Sequence, residues 1–144
     1  MTTLALLLVL SGPPAELEGP IEVKFGWVHD ADTFYGTIED WPAFLGEDIG
    51  FRLRGYAAPE LSDPNPEDRK LALDGRDYVM VRITNALAKR KKVQIARVKH
   101  DKFSRRFDCD WIVDGVSLGP ELHQKGFVKP WNGKGVQPFK ENDP

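Results

Sequence analysis

Runs rich in β-branched and aromatic residues extend from Ile21 to Val28 and from Thr33 to Ile38, so the pattern predicts two strands. Asp30-Ala31-Asp32 lies between them as a turn, which makes a hairpin with carboxylates at its tip. Asp40 to Gly50 holds Trp41, Pro42, Gly46 and Gly50 and is predicted as loop. Phe51 to Tyr56 then alternates, with Phe51 and Leu53 on one face and Arg52 and Arg54 on the other. Pro59 ends this third strand and leaves Glu60 just beyond it.

Asn65-Pro66-Glu67-Asp68 combines a capping side chain, proline at the first helical position and acids in the first turn. A helix is predicted from there to about Lys89, with Ala72, Val79, Ile83, Ala86 and Leu87 as its apolar stripe and Gly75 weakening its first half. Val93 to Val98 and Cys109 to Val113 read as the fourth and fifth strands. Ser117 is placed to cap a short helix that stops at Gly126. Residues 132–144 are polar and rich in Gly and Pro and are expected to be a mobile tail. The elements make an α+β protein, and 144 residues suffice for one domain burying about two thirds of its unfolded surface. No internal repeat is visible.

The overall charge of −2 argues against a polyanionic partner, but the charge is unevenly spread. Residues 1–68 hold 3 Lys+Arg against 13 Asp+Glu, residues 69–106 hold 13 against 3, and residues 107–144 hold 4 against 6. The basic middle suits either a surface that attracts nucleic acid or a solvated helix face ending in Lys89-Arg90-Lys91-Lys92. Cys109 is the sole cysteine, so no internal disulfide forms and the redox compartment stays open. No stretch spans a membrane. Residues 1–18 begin with an apolar run, Leu4 to Leu10, that breaks at Ser11-Gly12-Pro13-Pro14. The run reads as the core of a secretory signal, implying a secreted or periplasmic protein. It lacks a basic leader, so an N-terminal strand or apolar tail of a cytoplasmic protein is the alternative.

Three blocks carry candidate chemistry: His29-Asp30-Ala31-Asp32-Thr33, then Phe51-Arg52-Leu53-Arg54-Gly55-Tyr56-Ala57-Ala58-Pro59-Glu60, then Asp101-Lys102-Phe103-Ser104-Arg105. Phosphodiester hydrolysis needs an oxygen-ligated hard cation, a carboxylate that orients or deprotonates water, and cationic forks for the phosphate oxygens. Asp32, Glu60, Arg52 and Arg105 are the residue types for those roles. Each also has an ordinary structural use: Asp30-Ala31-Asp32 as a self-bonded turn, Arg52 as a cross-strand ion pair.

Taken in order, the blocks resemble the staphylococcal-type nuclease (thermonuclease) family, whose signature runs D-G-D-T, then R-L-x-G-[IV]-D-[AT]-P-E, then D-K-[YF]-G-R. The resemblance spans about residues 21–131, within a domain taken as residues 19–131. It implies a five-stranded OB-fold-like β-barrel with one long and one short helix. It implies a monomeric, Ca²⁺-dependent nuclease that cuts DNA or RNA with little sequence preference and leaves 3′-phosphate ends. Carried over, Asp32 is the metal-ligating carboxylate, Asp30 its supporting acid, and the Ala58 carbonyl a further ligand. Arg52 and Arg105 grip the scissile phosphate, and Glu60 is the general base or water-orienting group. Lys102 and Phe103 meet a neighbouring phosphate, and Trp131 lies near the base, with core filling as its alternative use.

Three positions depart from the family pattern. Ala31 and Ser104 each replace a glycine, which matters where the backbone needs positive φ. Ala57 stands where the family has its second metal-ligating Asp, so the site loses a charge and an oxygen, and Ca²⁺ affinity follows ligand charge. A binding module of the same fold that holds nucleic acid without cutting it is therefore the second expectation. A protein-interaction domain is the third, to be recognised by an exposed apolar patch in place of a basic groove.

Overall fold

The computed structural model of the chain describes residues 16–100 and 105–140. In chain order these form β1 (Ile21–Glu22), β2 (Lys24–Asp30), β3 (Thr33–Thr37), α1 (Ala43–Gly46), β4 (Ile49–Leu53), β5 (Tyr56–Ala57) and α2 (Pro66–Ala88). They continue with β6 (Val93–His100), β7 (Arg106–Val113), β8 (Val116–Ser117), α3 (Leu118–Gln124), β9 (Lys129–Pro130) and a 3₁₀ turn at Pro138–Lys140. The class is mixed α+β, as the pattern predicts.

The main sheet follows the order β1-β6-β7-β4-β3-β2, with β8 on β7 and a parallel pairing only between β4 and β7. Its two ends, β1 and β2, are consecutive in the chain. Val23 alone separates them, and its amide donates to the Val93 carbonyl at 3.0 Å. The sheet therefore curls round toward itself. Phe34, Phe51, Ile49, Leu53, Ile95 and Trp111 face inward and are buried. The Phe34 ring centroid lies 5.2 Å from that of Phe51 and 4.9 Å from that of Trp111. From Phe51 to Arg54, at the end of β4, the predicted alternation is present: Phe51 and Leu53 are buried while Arg52 and Arg54 turn outward.

Helix α2 begins as predicted, the Asn65 side chain accepting from the Glu67 amide at 2.9 Å. Its buried stripe is Ala72, Gly75, Val79, Ile83 and Ala86. Leu87, expected in that stripe, is 40% exposed because it lies one residue, about 100°, round the helix from Ala86. Gly75, a weak helix former, is explained by contact. A Cβ there would come within 2.9 Å of the Ala31 Cβ, so the helix axis closes directly on the hairpin tip.

Other expectations change. The loop after β3 contains the single-turn helix α1. The third strand stops at Leu53; a turn through Gly55, at φ 85°, sends Tyr56–Ala57 to pair with Lys129–Pro130 in a separate two-stranded sheet. The fifth predicted strand starts earlier, at Arg106, because it pairs with β4 from Gly50 onward. Ser117 precedes α3 but makes no side-chain cap bond. The expected tail is packed through residue 140, with Phe139 buried and the Lys129 ammonium 4.4 Å from its ring centroid. At the other end Leu17 bridges to Val98, whereas residues 1–15, the rest of the apolar segment, lie outside the described residues. Among the described residues no helix is long and apolar enough to cross a membrane.

Candidate active site

The tight β2–β3 turn brings two carboxylates together. The Asp32 amide donates to Asp30 Oδ1 at 3.1 Å, the self-bonded turn that this sequence allows. Asp32 itself is 7% exposed. Its Oδ1 accepts from the Thr33 hydroxyl at 2.9 Å and its Oδ2 from the Ala58 amide at 2.9 Å. The Asp32 carbonyl accepts from the Leu53 amide at 2.7 Å. The hairpin tip is thus stitched both to the end of β4 and to the segment that carries Ala57, Ala58 and Glu60.

Arg52 pairs in register with Thr33 across β3 and β4. Its Nη2 stands 3.8 Å from Asp32 Oδ2, an ion pair beyond hydrogen-bond length. Its guanidinium carbon lies 5.3 Å from the centre of the Trp131 ring. Trp131 is held there by its own amide on the Gly55 carbonyl at 2.9 Å and by its indole N–H on the Lys134 carbonyl at 2.9 Å. It is partly buried beside Arg52, at the place where the resemblance expects an aromatic residue.

Burial, followed by the hydrogen bond to Asp32 and that residue's charge, pushes the Asp30 carboxyl up to about 9, against smaller opposing effects of the Asp32 amide and Arg52. The crowding of the two acids thus favours the protonated form of Asp30. Ala31 between them is fully buried and is not among the positive-φ residues, so the side chain that replaces the family's glycine is accommodated without backbone strain.

The remaining expected residues are less closely gathered. Glu60 is exposed, and its Oε1 receives the Lys140 ammonium at 3.0 Å. Arg105 extends toward α1, its Nη2 donating to the Glu47 carbonyl at 3.1 Å and the Phe44 carbonyl at 3.4 Å. Lys102 and Phe103, with Asp101 and Ser104, lie outside the described residues. Ala57 is fully buried. The Ala58 carbonyl accepts from Gln137 Nε2 at 2.9 Å.

A fully protein-ligated Ca²⁺ takes six to eight oxygens at roughly 2.3–2.6 Å. The tip gathers Asp30, Asp32 and the Thr33 hydroxyl, Ala57 adds no oxygen, and the Ala58 carbonyl is engaged by Gln137. Among the described residues no group of three or more His, Cys, Asp or Glu stands close enough to hold a metal. In kind, the carboxylate and hydroxyl oxygens at the tip are the hard donors such a cation takes, and water would have to complete the shell.

Sequence reasoning missed Thr33 as a partner of Asp32, and it missed Gln137 and Lys140 altogether. The hydroxyl beside the acid was a readable signal. Gln137 is 79 residues from the carbonyl it meets, and nothing local announces that contact. Comparison of the chain with protein-family models gave no match, and comparison with curated proteins gave none either.

Proposed function

We propose that this chain is a metal-dependent phosphodiesterase of the thermonuclease type, hydrolysing DNA or RNA on a five-stranded OB-type barrel. The sheet path supports the barrel reading: with β1 and β2 taken as one strand bent at Val23, five long strands run in a curled order toward the first. The single observation that carries the functional reading is the environment of Asp32. Buried, bonded to the Ala58 amide and 3.8 Å from Arg52, it joins the first two motif blocks into one constellation, with Glu60 two residues past Ala58.

In this reading Asp32, supported by Asp30, would hold the cation, which supplies charge neutralisation at the phosphate. The Arg52 guanidinium, oriented by Asp32 and Trp131, donates a planar fork to two phosphate oxygens. Glu60 takes a proton from, or orients, the water that attacks phosphorus as the bond to the leaving oxygen breaks. Arg105 joins after leaving the Phe44 and Glu47 carbonyls, a rotation of one exposed side chain. Ca²⁺ is the cation that the resemblance implies, held more weakly because Ala57 supplies no oxygen.

A second reading, a nucleic-acid-binding module without hydrolysis, is favoured by two observations: the fully buried Ala57 and the Ala58 carbonyl capped by Gln137. One assay separates the readings. Purified protein is incubated with single-stranded DNA and RNA in Ca²⁺, Mg²⁺, Mn²⁺ or chelator, beside the Glu60→Gln variant. Cation-dependent fragments that fall by about 10² in Glu60→Gln, with binding retained, support the nuclease. Binding without fragments in every cation supports the module.

A further inference from the structure

The outer face of the curled sheet carries an aromatic pair that the candidate mechanism does not use. Trp27 on β2 and Tyr35 on β3 are register partners, and their rings stack at 4.4 Å between centroids and 12° between planes. Trp27 is 51% exposed. His29 stands edge-on to it at 6.2 Å. The same row continues from Tyr35 to Gly50 on β4 and then to Arg106 on β7. Gly50 is there for space: a Cβ would lie 3.1 Å from Tyr35 Cε2 and 3.3 Å from Arg106 Cγ, so the ring and the arginine stem converge over a bare backbone.

Side chains two residues apart on a strand share a face, about 6.6 Å apart. Arg52 is therefore on the face of Gly50 and Tyr35, one row along. Along the chain Gly50 lies beneath Tyr35, Arg52 follows on the same face of β4, and just past the end of β4 the Gly55 carbonyl holds Trp131. A phosphate on Arg52 would have an aromatic surface on either side of it. Cross-strand aromatic contact alone stabilises a hairpin, but it does not require half of an indole to face solvent.

We propose that the Trp27–Tyr35 pair is a nucleobase-stacking subsite that selects single-stranded nucleic acid, receiving the base on the side of Arg52 opposite Trp131. This inference rests on the reading of Arg52 as a phosphate contact. Only an unpaired base presents a free π-face, and stacking tolerates any base, so the subsite gives strand selectivity without sequence preference.

The test uses the whole protein in chelator and at low salt. Fluorescence anisotropy follows the binding of a short labelled oligothymidylate, alone or annealed to its complement. Wild type is expected to prefer the single strand. Trp27→Leu keeps an apolar contact with Tyr35 but removes the π-surface, and is expected to weaken single-strand binding about tenfold while leaving duplex binding unchanged. Trp27→Phe is expected to restore most of the loss. Thermal melts verify that the variants fold, and Tyr35→Leu replaces Trp27→Leu if the latter melts below the assay temperature. Unchanged single-strand affinity in a folded Trp27→Leu, or an equal loss on single strand and duplex, overturns the subsite and leaves the catalytic reading standing. Failure of the wild type to bind either form overturns both.

Discussion

Asp32 and Glu60 are both tied to the short segment that follows β4, yet they are set in opposite surroundings. Asp32 is buried, with both oxygens accepting hydrogen bonds from the fold itself. The Glu60 side chain is 54% exposed and faces the Lys140 ammonium at 3.0 Å. The first acid holds the protein together as well as orienting Arg52. The second takes part in a surface ion pair, worth about 0–1 kcal/mol, that solvent weakens readily. Changes at the floor of the site should thus be felt in stability as well as chemistry, and changes at its rim in chemistry alone.

Substitution at Ala57 strains this division most. An aspartate there would enter a fully buried position next to the amide that already serves Asp32. In chelator, Ala57→Asp is expected to cost about 3 kcal/mol or more in urea unfolding, the penalty of an uncompensated buried charge. Adding Ca²⁺ is expected to recover part of that loss; a melting temperature indifferent to Ca²⁺ would separate position 57 from the cation.

Arg52→Lys comes next. It keeps the charge but loses the fork, so turnover on single-stranded DNA is expected to fall by about 10²–10³, close to the loss in Arg52→Ala. Near-wild-type turnover would reduce Arg52 to a point charge.

At the floor, Asp32→Ala leaves the Ala58 amide and the Thr33 hydroxyl without their acceptor, and is expected to lower unfolding free energy by about 1–3 kcal/mol. Glu60→Gln is expected to leave the same unfolding curve in place. If both variants melt alike, the contrast between floor and rim is wrong.

The last test concerns pH. In the cation-free protein the Asp30 carboxyl is raised to about 9, so the folded chain keeps a proton that the unfolded chain releases above its ordinary value near 3.8. A group raised on folding contributes less stability as pH climbs across that window. Wild type in chelator is therefore expected to lose melting temperature as pH rises from acid toward about 9, and Asp30→Asn to flatten the decline. His29 lies 3.7 Å from Asp30, so the comparison is made in a common background such as His29→Asn. Parallel curves for the two proteins would remove Asp30 as the source.

Much of the scaffold was readable locally. Asn65 and Pro66 announced the start of α2 because capping and proline placement act within one turn. The alternation of Phe51, Arg52, Leu53 and Arg54 announced the faces of β4, since strand side chains alternate whatever the partner strand is. Asp30-Ala31-Asp32 announced a turn for the same local reason. These signals came from residues no more than a few positions apart.

What the fold alone decided is which distant groups meet. Asp32 receives an amide 26 residues away, and Ala58 receives Gln137 across 79. Arg105 turns to the Phe44 and Glu47 carbonyls because a helical turn forms inside a stretch that reads as loop. The Trp27–Tyr35 stack depends on register irregularities in β2 on either side of the Trp27–Val28 pairs, which shift the register that simple counting from the turn would give. Such contacts arise when separate elements close on a common core, here through the bare Gly75 against Ala31 and the bent chain at Val23. Composition and spacing supplied the chemical groups and their local conformation; the curling of the sheet and its packing on the helix determined which of them stand together.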